Sequence, residues 1–535
     1  MSTAWPVTAA VAAPDRYGAE TAGEILATGG NAVDAAVAVA FTLAVTYPEA
    51  GNLGGGGFAT VLFNGNSYFL DYRECAPASA SRDMYLDAAG NVVPGGSTIG
   101  AGAAAVPGTV AGMWELHRRF GLSTWQQVLA PAIRLAHEGF RVSRVQAMLR
   151  DQRAVQLDGR TNFLAHFGDL ETDATFPQPE LEATLRRIAN GGAEGFYFGR
   201  TADLIAAEME RSRGHITRAD LAAYRAVWRT PLTGKWVGYE VITAPLPSSG
   251  GIVLLSMLAM RRYLAAAFMN VAPNSAQYVH LLAEIEKRLF ADRAEYLGDP
   301  DFHAADVAAL LDPHYLARRA QEVDTVRPSA TIDVKPGRLE HHSTTHFSIL
   351  DRWGNAVSNT YTIDEWFGCG QVVSGGGFLL NNEMDGFSVK PGVPNHLGVI
   401  GGDANAIEPR KRPLSTMTPT ILIRDGHVVM IIGTPGGSRI ATSIFQVLTN
   451  WHEYHMSLEA AVAAPRVHHQ LLPPHTIFEE PYGTIDSTAR QGLIDRGYSF
   501  SNQGWNGDIE VIAVMDSGTE AVSDPRCRGV ARVFV

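Results

Sequence analysis

Residues 341–388 read HHSTTHFSILDRWGNAVSNTYTIDEWFGCGQVVSGGGFLLNNEMDGFS, and the fold turns on how that stretch is read. Two runs of alternating β-branched and aromatic residues, His346–Leu350 and Ala356–Tyr361, flank a turn-like segment, Asp351-Arg352-Trp353-Gly354-Asn355. That pattern predicts an antiparallel hairpin. Thr344 and Thr345 stand just ahead of the first strand, and Thr360 and Thr362 lie near the end of the second. A hydroxyl at the mouth of one strand can therefore meet another across the hairpin. Spacing alone does not make these threonines catalytic, because threonine favours strands in any case.

The segment ahead of Thr344, VRPSATIDVKPGRLEHHS, is polar and breaks every periodicity, as a linker does. His341, His342 and His346 lie close in sequence, but no acidic or thiol partner falls at ligand spacing, so a metal site is not expected. After the anchor, Lys390 to Asn405 is rich in Gly, Pro and Asn and reads as a loop. Then comes a hairpin, TILIR and HVVMIIG around Asp425-Gly426, running into Gly433-Thr434-Pro435-Gly436-Gly437-Ser438-Arg439 and a helical pattern. Two glycines where a strand feeds a helix N-terminus leave free N–H groups for an anion.

Towards the N-terminus, residues 18–46 predict two helices, with Gly29-Gly30 closing the first and Asn31 capping an apolar, buried second. The cluster Gly51-Asn52-Leu53-Gly54-Gly55-Gly56-Gly57 follows a helix and precedes a strand, the reverse of a nucleotide loop, and reads as close backbone approach. A hairpin around Asn64-Gly65 then ends in Asp71-Tyr72-Arg73-Glu74. Residues 109 to about 325 read as mostly helical with solvated charged faces, and Pro231–Ala244 reads as strand.

A chain of 535 residues implies two subdomains or one large layered one. A net charge of −12 with no basic stripe argues against a nucleic-acid partner. No apolar run reaches the length needed to span a bilayer. No Lys or Arg precedes Arg16, so the charged start of a secretory signal is missing, and the expectation is a cytoplasmic protein. Cys75, Cys369 and Cys527 are odd in number and far apart, which fits neither disulfides nor a metal motif.

Thr344-Thr345-His346, Asp351, Gly354-Asn355-Ala356-Val357, Asn359-Thr360-Tyr361-Thr362, Phe367-Gly368, Leu379-Leu380-Asn381-Asn382 and Met384-Asp385 together resemble the start of the small subunit of γ-glutamyltranspeptidases. These are N-terminal-nucleophile hydrolases that cut themselves. The resemblance runs from Ala12 to Arg526. It implies an α+β fold, the four-layer αββα sandwich. It also implies a helix-rich large subunit with N-terminal strands, 1–343, and a β-rich small subunit, 344–535, staying together as a heterodimer. Cleavage would fall between Ser343 and Thr344. Thr344 would be the nucleophile, Thr362 its orienting partner, and Gly436 and Gly437 the oxyanion hole. The freed Thr344 amine, ordinarily titrating at about 7.7–8.0, would serve as base for its own hydroxyl. Arg73, Ser415 and Thr416 match the positions that bind a substrate carboxylate, and 390–405 matches a lid. No metal or organic cofactor is implied.

Three positions depart from the family pattern. Gly386 stands where an aspartate binds the substrate α-amine, Asp364 where an asparagine is frequent, and Leu397 where the lid often has an aromatic. The departure points to a small carboxylate-bearing amide without an α-amine, oxamate first, as in the family's oxamate amidohydrolase branch. On that reading, an aspartate restored at 386 would bring back γ-glutamyl activity. Asp364 and Glu383 could instead hold the amine, which keeps γ-glutamyl transfer or glutathione hydrolysis open. A non-catalytic family member acting as a binding protein is the reading of another class. It would be signalled by loss of Thr344, which is present.

Overall fold

The computed structural model describes residues 7–330, 334, 343–391, 402–502, 504 and 506–534. Two sheets form its centre. The seven-stranded sheet runs, edge to edge, Val530–Val533, Ala10–Ala13, Ser343–Leu350, Ala356–Asp364, Gly56–Phe63, Asn66–Asp71, Val227–Arg229. The six-stranded sheet runs Gly518–Ser523, Glu510–Met515, His427–Gly433, Thr420–Arg424, Tyr239–Thr243, Leu232–Trp236. An apolar layer that includes Ala12, Leu350, Ala356, Ile421, Ile431 and Ile512 lies between them. Helices cover both outer faces. The alanine-rich helix Ala32–Thr46 packs with Phe347, Ile349 and Val357 on one side, and helices Gly250–Tyr263, Ala276–Tyr296 and Arg439–His452 pack on the other. The expected αββα sandwich is what forms.

Alternation along the strands decides which side chains face where. In Ser343–Leu350, Phe347 and Ile349 join the helical side, while His346, Ser348 and Leu350 face the second sheet. Helix Ala32–Thr46 is buried along its whole length and starts with the Asn31–Asp34 capping box. At Asn64-Gly65 both residues have positive φ, 49° and 75°, as a tight hairpin requires.

Residues before and after position 343 contribute strands to both sheets, so no boundary there divides the core. Two readings need correction. Pro231–Ala244 is not one strand but a hairpin, because Val237 and Gly238 both turn left-handed at φ 41° and 89°. A β-branched residue disfavours that region, which hid the turn. The charges of helix Ala276–Tyr296 are not a solvated face. Glu284, Glu286, Lys287 and Arg288 are buried, with Lys287 Nζ 2.6 Å and Arg288 Nη1 2.8 Å from Glu284. The helix has neighbours on several sides, so its charges pair instead of facing water. The three cysteines are free thiols, as expected from their spacing. Among the described residues no helix is long and apolar enough to cross a membrane.

Candidate active site

The anchor hairpin forms, and it is longer than its hydrophobic pattern: Ser343–Leu350 pairs antiparallel with Ala356–Asp364. Thr344 and Thr345 lie inside the strand, not ahead of it. Thr344 stands directly opposite Thr362, and Ser343 opposite Asp364. Both threonines are buried. By alternation Thr344, His346 and Ser348 share the face that looks to the second sheet. His346 is central to that face. Its Nδ1 lies 2.8 Å from Thr360 Oγ1 and its Nε2 3.1 Å from Ser348 Oγ. Burial pushes its pKa down to about 3, so the ring is neutral. The ring also packs on Gly433, where a Cβ would stand 2.3 Å from His346 Cε1. Gly433 ends its strand and opens the loop to Gly436 and Gly437.

That loop has the strand-to-helix form expected. Gly436 sits at φ 135° and Gly437 at φ 59°, and helix Arg439–His452 follows at once. The Gly436 carbonyl accepts the Arg439 N–H at 3.1 Å. The Gly51–Gly57 cluster serves close backbone approach. A Cβ on Gly54 would lie 2.1 Å from the Leu379 carbonyl oxygen, and one on Gly55 2.0 Å from that of Thr362.

A second group of residues gathers beside the hairpin. Arg73, buried at the end of its strand, reaches Glu383 Oε1 at 2.5 Å and Glu74 Oε2 at 3.2 Å, and its Nε donates to the Pro413 carbonyl at 3.3 Å. Pro413 leads into Ser415 and Thr416, which are buried in the same segment. The Ser415 carbonyl accepts from Ser249 N–H and Oγ, each at 2.8 Å, and Ser415 Oγ accepts the Met417 N–H at 3.2 Å. Burial, reinforced by the neighbouring Glu383 charge, raises the Glu74 pKa well above the usual carboxylate range. Gly386 adjoins this group: a Cβ there would stand 3.4 Å from both Arg73 Nη2 and Glu383 Oε2. Glu383 Oε2 is buried and has no hydrogen-bond donor among the described residues. Asp364, at φ 75°, accepts Asn382 Nδ2 at 2.5 Å and donates its own N–H to Thr362 Oγ1 at 2.7 Å.

The structure therefore brings Thr344, Thr362 and Asp364 together on one hairpin, and Arg73, Glu383 and Gly386 together beside Pro413. Leu397, His341 and His342, the linker next to Ser343 and the middle of the lid segment lie outside the described residues. Among the described residues no group of His, Cys, Asp and Glu could hold a metal ion. Sequence reasoning gave no role to Asn52, Asn381 and Asn382. Asn52 Nδ2 donates to the Thr362 carbonyl at 3.0 Å, and Asn381 Oδ1 accepts the Glu383 N–H at 3.0 Å. Asparagines beside glycine turns were the available signal, since an amide there can fix backbone that has no ladder partner.

The γ-glutamyltranspeptidase family model matches residues 18–534. The chain belongs to the γ-glutamyltranspeptidase family. It is 57% identical over 525 residues to the glutathione hydrolase proenzyme of Pseudomonas aeruginosa, covering 98% of this chain and 94% of that one. Among solved structures it is similar to the γ-glutamyltranspeptidase from Pseudomonas nitroreducens complexed with L-DON, at 54% identity and TM-score 0.60, over 61% of this chain and 97% of that one. It is also similar to the cephalosporin acylase from Bacillus halodurans, at 26% identity and TM-score 0.85, over 99% and 96%. Within the family, the chain is an enzyme of the hydrolase and transferase type.

Proposed function

We propose that this enzyme cleaves itself between Ser343 and Thr344 and then transfers or hydrolyses γ-glutamyl groups through an acyl ester on Thr344. In the first step Thr344 Oγ1 adds to the Ser343 carbonyl and the C–N bond breaks, giving an ester and a free Thr344 amine. Water opens the ester. The amine then takes the proton from Thr344 Oγ1 as that oxygen attacks a γ-glutamyl amide. Thr362, opposite Thr344 in the ladder, orients it. The N–H groups of Gly436 and Gly437 hold the tetrahedral oxyanion, a contribution of about 3 kcal/mol per donor in comparable sites. Water or an amine resolves the acyl ester.

One observation carries the choice of substrate: a buried guanidinium, Arg73, with a buried carboxylate, Glu383, whose second oxygen has no donor among the described residues. A buried acceptor left unmade costs free energy, about 1–3 kcal/mol or more for a charged group. An α-ammonium supplies the missing donor, while the cation beside it suits an α-carboxylate. A γ-glutamyl head group carries both. Oxamate carries a carboxylate and no ammonium, and would leave Glu383 facing another anion. The name of the Pseudomonas aeruginosa relative points the same way. The expectation drawn from Gly386 alone thus yields to the γ-glutamyl alternative. Intact mass spectrometry of the purified protein, with and without a γ-glutamyl donor, tests the proposal. The fragment starting at Thr344 should carry the γ-glutamyl mass in the presence of donor, and an uncut, unmodified chain would refute it.

A further inference from the structure

Thr434 lies fully buried between strand His427–Gly433 and the two glycines. Its Oγ1 accepts the Asp508 N–H at 2.7 Å and donates to the Pro435 carbonyl oxygen at 2.8 Å. A hydroxyl has one proton, so that proton is committed to Pro435. A trans peptide unit is planar, and its C=O and N–H point in opposite directions. Fixing the Pro435 carbonyl therefore fixes the direction of the Gly436 N–H. One residue on, the Gly436 carbonyl accepts the Arg439 N–H, which fixes the Gly437 N–H in the same way. Both glycines have positive φ, where glycine alone is unrestrained, so their own sterics do not hold these peptides.

We infer that Thr434 is a positioning residue for the reaction: its hydroxyl locks the Pro435–Gly436 peptide so that the Gly436 N–H is aimed at the oxyanion. This rests on the reading of Gly436 and Gly437 as the oxyanion donors. The second peptide is locked by helix backbone. The first depends on a side chain that can be changed without touching either glycine. The lock is itself anchored. The Asn506 carbonyl, two residues before Asp508, accepts Ser443 Oγ at 2.9 Å and Arg466 Nε at 2.7 Å, tying the segment to helix Arg439–His452. Gly507 packs against the hydroxyl, since a Cβ there would lie 2.6 Å from Thr434 Oγ1.

The test compares Thr434→Val, which keeps the shape and removes the hydroxyl, with Thr434→Ser, which keeps the hydroxyl, and with Gly436→Ala. Each matured enzyme is assayed for kcat and KM on a γ-glutamyl p-nitroanilide, for affinity to a boronate that forms a tetrahedral adduct on the nucleophile, and for Tm. Thr434→Val should lose about tenfold or more in kcat, less than outright removal of a donor, with KM nearly unchanged. Boronate affinity should fall in parallel, and Thr434→Ser should restore both. A purely structural role would lower Tm without this split between kcat and KM. Should Thr434→Val not fold, Thr434→Ala makes the same comparison. Wild-type kcat in Thr434→Val alongside a crippled Gly436→Ala would overturn the lock alone. So would a Thr434→Ser enzyme as slow as Thr434→Val. Wild-type kcat in both Thr434→Val and Gly436→Ala would overturn the oxyanion reading itself, and the lock with it.

Discussion

At the end of the site proposed to carry the nucleophile, Thr344 faces Thr362 across a ladder, His346 is held neutral between two hydroxyls, and two glycine peptides are fixed by backbone and hydroxyl contacts. At the head-group end, Arg73, Glu74 and Glu383 bury one positive and two acidic groups against each other, with Asp364 on the neighbouring hairpin. The first end is built from hydrogen-bonding geometry and the second from charge. Geometry of that kind serves any acyl substrate. On the proposed function the charges choose which one, and Gly386 and Asp364, two of the three positions read from sequence as departures from the family pattern, lie at this end.

Changes at the two ends should therefore fail in different ways. The largest effect belongs to Thr344→Ala. The chain should remain uncut on gel electrophoresis, and activity should fall by something like 10⁴-fold or more, as when other catalytic nucleophiles are removed. Gly437→Val comes next, because φ 59° excludes a β-branched residue without strain and the N–H pair would be distorted. Its kcat should drop about 10²-fold or more, while circular dichroism still reports a folded protein.

At the head-group end the loss should appear mainly in KM. Glu383→Gln removes the charge offered to the ammonium, an interaction of roughly 1.5–3 kcal/mol, so KM for a γ-glutamyl anilide should rise on the order of ten- to a hundredfold. A glutaryl anilide, which lacks the amine, should be spared. Gly386→Asp should act against the expectation drawn from sequence. A Cβ at 386 stands 3.1 Å from Pro413 Cβ and 3.4 Å from both Glu383 Oε2 and Arg73 Nη2, so a carboxylate there crowds a like charge and competes with Glu383 for the Arg73 guanidinium. Alone it should weaken γ-glutamyl turnover a few-fold, and Glu383→Gln in the same chain should recover it, a coupling of about 0.5–3 kcal/mol.

The smallest effect is on stability. Burial, with Asp524 nearby, raises the Asp508 pKa from 3.8 to about 8. The native state therefore holds a proton between those values that the unfolded chain has lost. Stability from this group is present at low pH and falls as pH rises towards 8. Asp508→Asn should gain in Tm over the wild type more at pH 9 than at pH 5.

The hairpin and the glycine loop were legible because their signals are local, while the roles proposed for their threonines and glycines came from the family resemblance alone. An alternating hairpin, a threonine pair and a glycine pair between strand and helix are each contained in a few consecutive residues. The αββα layering followed from the family resemblance, whereas periodicity alone gave only mixed helix and sheet. What escaped were contacts across the chain. Arg73 meets Glu383, and Thr434 meets Asp508, through tertiary packing that no spacing encodes. The buried charges of helix Ala276–Tyr296 escaped for the same reason. Gly386 drew the reading towards an amine-free amide; Glu383 was already named as a possible partner for the amine, but its pairing with Arg73 beside Gly386 shows only in the fold.

On the proposed function, a paired cation and anion select the γ-glutamyl head group. The most direct measurement compares kcat/KM of the matured protein for γ-glutamyl p-nitroanilide, glutaryl p-nitroanilide and oxamate, the last by ammonia release. The γ-glutamyl compound should be preferred by roughly ten- to a hundredfold over its amine-free analogue, and the preference should collapse in Glu383→Gln. Equal or better turnover of the glutaryl compound or of oxamate would contradict it.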